Sequence, residues 1–161
     1  MCIRDSTMGV SGPLTMDTAG AEMYATIFSF IASKHQAGTL MAGSDDGLVH
    51  ISTNDGSSWR DVTPSGMKKW SQVTMIAESE HKKGTVYMTA ARHKEGDYAP
   101  YVYKSTNWGK TWTKITKGLP KNDFCRVIRE DPNRKGLLYV CLLYTSPSPR
   151  DATLSRMPSS A

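Results

Sequence analysis

Hydrophobic and polar residues alternate along this chain in short segments that polar turns separate. The first segment is residues 22–33, where Ile27 and Phe28 favour a strand, although Glu22 before them favours a helix. Three turns are alike, because in each a polar stretch follows an apolar strand, ends in glycine and leads directly into a second strand. The glycines of these turns are Gly38, Gly84 and Gly136. Since glycine readily adopts positive φ, the pattern predicts three hairpins.

A third strand follows each complete hairpin. In the first repeat it begins at Gly47 after a Ser-Asp-Asp-Gly turn, and in the second it begins at Tyr101 after a longer loop over residues 92–100. A Ser-Thr-Asn-x-Gly turn then leads into a fourth strand, which begins at Trp59 and again at Trp112. Each repeat therefore comprises four short antiparallel strands in about 50 residues, which is typical of a β-propeller blade.

The repeats predict an all-β fold: a fragment of a β-propeller with two four-stranded antiparallel blades and the start of a third. A single blade cannot bury both faces, so neighbouring blades must stack. The expected segments are a non-native leader at 1–6, a lead-in loop at 7–21, blade 1 at 22–66, blade 2 at 67–120, the start of a truncated blade 3 at 121–140 and a non-native disordered tail at 141–161.

Both ends of the chain differ from the repeats. Residues 141–161 are rich in Ser, Pro and Arg, have no strand or helix period, and begin where the third blade should continue. Together with residues 1–6 they resemble translated adapter sequence at the edge of an assembled environmental reading frame; the alternative is a natural disordered tail. A fragment that cannot close a ring is expected to expose strand edges and to be poorly soluble alone.

The turn before each fourth strand carries the clearest motif, Ser-Thr-Asn-x-Gly-x-(Ser/Thr)-Trp. Its residues are Ser52, Asn54, Gly56 and Trp59 in the first copy and Ser105, Asn107, Gly109 and Trp112 in the second. A short Asn side chain accepts hydrogen bonds from N–H groups of its own turn, and glycine permits the left-handed conformation. The tryptophan is expected to pack back between adjacent sheets. The motif therefore predicts a structural role.

This motif resembles the Asp-box, or BNR repeat, with Asn54 and Asn107 in the usual Asp position. Residues 11–140 also resemble the sortilin-type propeller and its bacterial relatives, which are often labelled glycosyl hydrolases. The segments that carry this second resemblance are residues 20–27, 42–49, 101–106 and 129–132. The resemblance implies a secreted or periplasmic protein whose boxes lie at outer turns, away from the central cleft. It says little about activity, because one propeller fold serves receptors, scaffolds and hydrolases.

No catalytic residue is predicted. A sialidase-like site needs three arginines, a tyrosine nucleophile and a glutamate, and no arginine spacing marks such a triad. A xyloglucanase-like site needs two carboxylates across a cleft, whereas Asp45 and Asp46 lie in a tight Asp-Gly turn. Glu78 and Glu80 flank the end of a first strand, and Glu130 and Asp131 lie at the equivalent place in the next repeat. All four are expected to be primarily turn residues and only secondarily cleft residues.

The loop over residues 92–100 is the one insertion in blade 2, and such insertions often form binding surfaces. It supplies a candidate recognition patch. The residues of this patch are Arg92, His93, Asp97, Tyr98 and Tyr101. His35 and His81, in contrast, occupy equivalent turn positions and are expected to be structural.

Charge and cysteine content bear on possible partners, metals and disulfides. The net charge of +5 is compatible with a nucleic-acid partner. The basic residues, however, are scattered as pairs in turns, which predicts solvated charge on loops and no nucleic-acid partner. Cys2, Cys125 and Cys141 give neither a metal pattern nor a disulfide framework, and Cys125 is expected to be a small buried hydrophobe. No metal or cofactor is predicted, and no apolar run is long enough for a membrane segment.

The sequence favours a binding or scaffold module for a protein, peptide or glycan. The alternative is a fragment of a propeller glycoside hydrolase, xyloglucanase-like or sialidase-like, with catalytic residues partly in missing blades; a third is a purely structural array. Whether the protein is an enzyme stays open, and the fragment alone is expected to have no catalytic activity. Two carboxylates converging from different blades would favour the enzyme, whereas an aromatic and arginine-lined cleft without them would favour binding.

Overall fold

A computed structural model of the protein describes residues 26–142, which form two four-stranded sheets and one two-stranded sheet, all antiparallel. Blade 1 contains β1 Ile27–Ala32, β2 Leu40–Ser44, β3 Val49–Ser52 and β4 Arg60–Asp61. Blade 2 contains β5 Gln72–Glu78, β6 Val86–Arg92, β7 Asp97–Ser105 and β8 Thr113–Lys114. Blade 3 contains β9 Cys125–Glu130 and β10 Leu138–Leu142. The predicted all-β class, with two complete blades and the start of a third, is confirmed.

The three predicted hairpins are the β1–β2, β5–β6 and β9–β10 turns. Gly38, Gly84 and Gly136 have φ angles of 74°, 78° and 81°, so each requires the left-handed conformation that glycine adopts most readily. The Ser-Thr-Asn turns lie against the first two hairpins, because the N–H of Asp55 donates to the Gly38 carbonyl and the N–H of Trp108 donates to the Gly84 carbonyl, both at 3.0 Å.

The prediction of a loop over residues 92–100 is wrong, because the connection between β6 and β7 is shorter. Asp97 already pairs with Arg92 at the start of β7, so only the 3₁₀ helix His93–Glu95 and Gly96 reverse the chain. A register shift in the β6–β7 pairing lies opposite Pro100, which has no N–H to donate to a regular ladder. Strand pairing that resumes before this proline has no local signal in the sequence.

Blade 3 extends beyond residue 140. β10 continues through Cys141 and Leu142, and Leu142 is buried where it pairs with Cys125, which is itself fully buried. These two residues therefore continue the strand where the sequence predicted the tail to begin. The leader, the lead-in loop, Cys2 and residues 143–161 lie outside the described residues.

Apolar side chains pack between successive blades. One cluster joins Met41, Val49 and Ile51 of blade 1 to blade 2, where Val73 and Ile76 contribute. A second cluster lies between blades 2 and 3. It contains Ala77, Tyr87, Val102, Cys125, Ile128 and Leu142. Full burial of each valine or isoleucine contributes about 1.5–3 kcal/mol, so stacking stabilises blades that could not bury both faces alone.

A polar contact between hairpin turns joins blade 1 to blade 2, and we call it the turn contact. The hydroxyl of Ser33 donates to Glu78 Oε1 at 2.9 Å, and the N–H of Lys34 donates to Glu78 Oε2 at 2.7 Å. His35 Nε2 donates to the carbonyl oxygen of Ser79 at 2.9 Å. The end of β1 is thereby fixed to the end of β5.

Equivalent residues repeat the turn contact between blades 2 and 3. The Ser79 hydroxyl donates to Glu130 Oε2, to which the N–H of Glu80 also donates at 3.1 Å. His81 Nε2 donates to the carbonyl oxygen of Asp131 at 2.8 Å. Both histidines therefore bond to the backbone of the following blade, as expected for structural residues.

Glu130 is almost completely buried, and its surroundings favour the ionised form. Burial would raise the pKa of Glu130, but hydrogen bonds from Ser79, the Gly136 and Glu80 N–H groups and Tyr87 outweigh burial and lower it. The pKa of Tyr87 is raised to about 12, mainly by burial and further by the Glu130 charge. Glu130 is therefore a charged structural acceptor.

Replacing this acceptor tests the turn contact. Glu130→Gln should lower the free energy of unfolding by roughly 1–3 kcal/mol at pH 7, because charge-assisted hydrogen bonds are weakened. Because the folded-state pKa of Glu130 lies below its unfolded value, its contribution should be full above about pH 4.5 and should diminish as the pH falls below that. Urea unfolding at pH 7 and pH 4 measures both effects.

Glu80→Gln is the matched control, since Glu80 takes part in the same turn contact only through its N–H, and its carboxylate forms an exposed ion pair with Lys34. It should change stability little. Equal effects of the two substitutions would contradict the importance of the turn contact.

Apolar side chains are also exposed on the first and on the last described blade. Phe30 in β1 is 54% exposed and Tyr139 in β10 is 57% exposed. We expect the chain to self-associate through these faces, and Phe30→Ser should reduce the association. Tyr98→Ser is the control, because Tyr98 is 50% exposed but lies near the β6–β7 turn. Analytical ultracentrifugation over a range of concentrations measures self-association of the parent chain and both variants. A monomeric parent chain would contradict the expectation.

Candidate functional site

The first strands of the three blades lie side by side, and a pocket of about 390 Å³ opens at their beginnings. We call it the first-strand pocket. It is lined by Phe28, Gln72, Thr74, His93, Lys94, Arg126 and Val127. Phe28, Thr74 and Arg126 occupy the same position in their repeats, because each lies equally far before the hairpin glycine of its blade. The pocket is therefore a product of blade stacking.

Phe124 positions two of the pocket side chains. The His93 ring stacks on the Phe124 ring, with centroids 4.7 Å apart and an interplanar angle of 12°. The Arg126 guanidinium lies 5.5 Å from the Phe124 centroid, a cation–π distance. The Thr89 hydroxyl donates to the Arg126 carbonyl oxygen at 3.3 Å, which fixes the start of β9 to blade 2.

The pocket has a positive electrostatic character. Arg126 and Lys94 contribute two cations, and the lining contains no carboxylate. Burial lowers the pKa of His93, and the charges of Arg126 and Lys94 lower it further, so the imidazole is neutral at pH 7. Within the described part of the chain, His93 Nδ1 is buried without a hydrogen-bond partner.

Only part of the predicted recognition patch reaches the pocket. Arg92, Asp97 and Tyr101 instead form a polar cluster with the connection between blades 1 and 2. Asp97 Oδ2 accepts hydrogen bonds from Tyr101 at 2.6 Å and from Lys68 at 2.9 Å. Arg92 donates to the Lys69 carbonyl oxygen and lies 3.8 Å from Asp97 Oδ2. These residues anchor the β6–β7 turn.

The charge state of Asp97 agrees with this anchoring position. Burial would raise the pKa of Asp97, but hydrogen bonds from Tyr101, Lys68 and the Ala99 N–H lower it to about 2. A carboxylate that stays ionised and fully bonded is a poor proton donor. Asp97 therefore offers no general acid at neutral pH.

His93 and Tyr98 are the patch residues closest to the pocket. His93 lines it, whereas the Tyr98 ring is tilted against Phe124 with centroids 6.3 Å apart and remains half exposed. The other six lining residues were missing from the predicted patch. Their common signal is the beginning of a first strand or the short turn beside it, which becomes informative only when the repeats are superimposed.

The two Ser-Thr-Asn turns lie at the opposite end of the sheets from the pocket, beside the first two hairpin turns. In the first, Asn54 Oδ1 accepts the Ser58 N–H and Ser52 Oγ accepts the Gly56 N–H, both at 2.9 Å. The second has the same bonds: Thr111 N–H to Asn107, and Gly109 N–H to Ser105.

The tryptophans that close these turns have different surroundings. Trp112 Nε1 donates to the Val62 carbonyl oxygen at 2.7 Å and thus joins blade 2 to blade 1. Trp59 is half-buried and its ring lies over Gly56 of its own turn. Neither tryptophan lines the first-strand pocket.

The carboxylates considered from sequence are engaged elsewhere. Asp45 accepts the Thr26 N–H, Asp46 accepts the Ser44 hydroxyl, and Glu78 and Glu130 serve the turn contacts. Among residues 26–142, no group of three or more His, Cys, Asp or Glu residues is placed to hold a metal ion. In the same range, no helix has the length and apolar character that a membrane crossing requires.

Comparison with a solved structure supports the fold. No protein-family model matches the chain, and no curated protein matches it. A GH74 xyloglucanase structure from Xanthomonas campestris matches with a TM-score of 0.50 and 14% identity, covering 62% of this chain and 16% of that one. The comparison shows a β-propeller fold, and the chain is a propeller fragment.

Two further structures are similar over a nearly equal share of the chain. An ancestral GH74 enzyme has a TM-score of 0.49 and 19% identity, covering 64% of this chain and 12% of that one. YCF48 from Cyanidioschyzon merolae has a TM-score of 0.44 and 15% identity, covering 63% and 27%. The matched parts thus span about a quarter or less of those proteins' lengths.

Titration of His93 tests the electrostatics of the pocket. Its NMR-observed pKa should lie below the ordinary value of 6.5, and Arg126→Gln should raise it by removing a nearby positive charge. Arg129→Gln is the matched control, because Arg129 lies in the same strand but does not line the pocket. A His93 pKa at or above 6.5 in the parent chain would contradict the arrangement, as would equal shifts in the two variants.

Proposed function

We propose that this chain is part of a ligand-binding β-propeller and that the ligand occupies the first-strand pocket. The observation that carries the proposal is the composition of the lining. Phe28 offers an exposed aromatic ring, Gln72 offers an amide, and Arg126 offers a guanidinium, all converging from three blades. The Thr74 hydroxyl also lines the pocket, but it is already hydrogen-bonded within the protein to the Thr89 hydroxyl and the Cys125 carbonyl oxygen. Concave sites of this size with a few converging polar groups are typical of small-ligand recognition.

Binding is favoured over glycoside hydrolysis by the positions of the carboxylates. A glycosidase of the two-carboxylate type needs two acids facing each other across the bond that is cleaved. Glu78 and Glu130 lie at the far ends of their strands and are held in turn contacts. A hydrolytic role would need carboxylates from outside the described residues, so this piece alone is proposed to be inactive.

The family and location belong to the same proposal. The two Ser-Thr-Asn turns have the hydrogen bonds that the Asp-box spacing requires, which supports membership of the BNR-repeat propellers. We place the complete protein with secreted or periplasmic propellers of the sortilin-like and glycosyl-hydrolase-like group. The GH74 xyloglucanase is similar in fold, and a glycan ligand is consistent with that likeness.

Blocking the pocket tests the proposal. Val127 is 40% exposed at the pocket, and Val127→Trp should fill it and weaken ligand binding by at least about tenfold, because the indole occupies the ligand's volume. Leu137→Trp is the matched control, since Leu137 is 39% exposed but lies outside the pocket lining. Binding of acidic and neutral oligosaccharides and short acidic peptides to the full chain is measured by NMR titration.

The same samples are assayed for released reducing sugar. Saturable binding that Val127→Trp abolishes, without hydrolysis, is the expected result. Hydrolysis of an oligosaccharide by the parent chain would favour the enzyme alternative, and binding insensitive to Val127→Trp would place the ligand elsewhere.

A further inference from the structure

We propose that the first-strand pocket selects a carboxylate-bearing sugar, a hexuronic acid unit of an acidic glycan, with Arg126 as the residue that recognises the carboxylate. This inference rests on the proposed binding function and specifies its ligand class. It depends on the convergence of a guanidinium, a second cation, an aromatic ring and uncharged polar groups at one pocket.

The cations select the charge of the ligand. Arg126 and Lys94 line the same pocket, and no described carboxylate shares that lining. A guanidinium binds a carboxylate through two parallel hydrogen bonds, which gives direction as well as attraction. An acidic ligand therefore gains an interaction that a neutral ligand of the same shape lacks.

Two contacts position Arg126 for this task. Its backbone carbonyl is held by the Thr89 hydroxyl at 3.3 Å, and its guanidinium lies over the buried ring of Phe124. A side chain that is already ordered loses less conformational entropy when it binds. The contacts that stack blade 3 on blade 2 thus also prepare Arg126.

The remaining lining favours a sugar ring over the end of a peptide. Phe28 is 56% exposed and can pack against the apolar face of a pyranose. The Gln72 amide both donates and accepts hydrogen bonds, and the neutral His93 imidazole can donate or accept one through Nε2, since its Nδ1 is buried, which suits ligand hydroxyls. A cavity of about 390 Å³ is near the lower end of ligand sites, so it suits one ring with its substituents.

A matched pair of ligands tests the inference on the full chain. Digalacturonate and its methyl ester have the same sugar framework, but only the acid carries negative charge. The acid should bind about tenfold more tightly, and this preference should weaken as salt is raised. Arg126→Gln should remove the preference, while Arg129→Gln, which deletes the same charge from the same strand, should retain it.

The possible results distinguish an error in the proposed ligand class from an error in the proposed binding function. Equal affinity for acid and ester, with binding still abolished by Val127→Trp, would overturn the carboxylate selection and leave the pocket function standing. Equal effects of Arg126→Gln and Arg129→Gln would overturn the role of Arg126. Tighter, Val127→Trp-sensitive binding of triglutamate would overturn the sugar assignment, and absence of any binding would overturn both proposals. Circular dichroism of every variant confirms that the sheets are retained.

Discussion

The turn contact between successive blades is the constraint on which the rest of this structure depends. Each carboxylate, Glu78 or Glu130, accepts bonds from the turn of the preceding blade, and the neighbouring histidine bonds to the backbone beyond it. Apolar burial favours stacking but tolerates sliding, whereas directional hydrogen bonds fix one register. With the ends of the first strands fixed, their beginnings must also lie side by side, and the pocket forms there.

The same constraint determines what the acidic residues can do. Glu130, which accepts several hydrogen bonds, stays ionised, and protonating it would weaken the stacking of blade 3 on blade 2. Glu130 is therefore valuable to the fold in the state that makes it least useful as an acid catalyst. Blade 1 has Ala32 at the equivalent position, where the described residues contain no turn of a preceding blade that could donate to an acceptor.

The strands were predictable because their signals are local and repeated. Hairpin glycines, Ser-Thr-Asn turns and strand composition recur in register, so each repeat supports the interpretation of the others. The pocket was not predictable in the same way, because repeat similarity hides it: Phe28, Thr74 and Arg126 share a position but no chemistry. The β6–β7 loop was overestimated because strand pairing before Pro100 depends on contacts with Arg92 that are absent from the local pattern.

Under the proposed binding function, the division of the predicted patch gives a short turn two tasks. Arg92, Asp97 and Tyr101 satisfy one another and hold the turn against the inter-blade connection. His93 can then remain on the Phe124 ring beside two cations, where the charged imidazolium is disfavoured. The proposed site thus contains two different groups for recognition. The neutral His93 imidazole is suited to hydrogen bonds with hydroxyls, and the Arg126 guanidinium is suited to a negative charge. Under the proposed binding function, recognition thus also depends on residues outside the pocket lining.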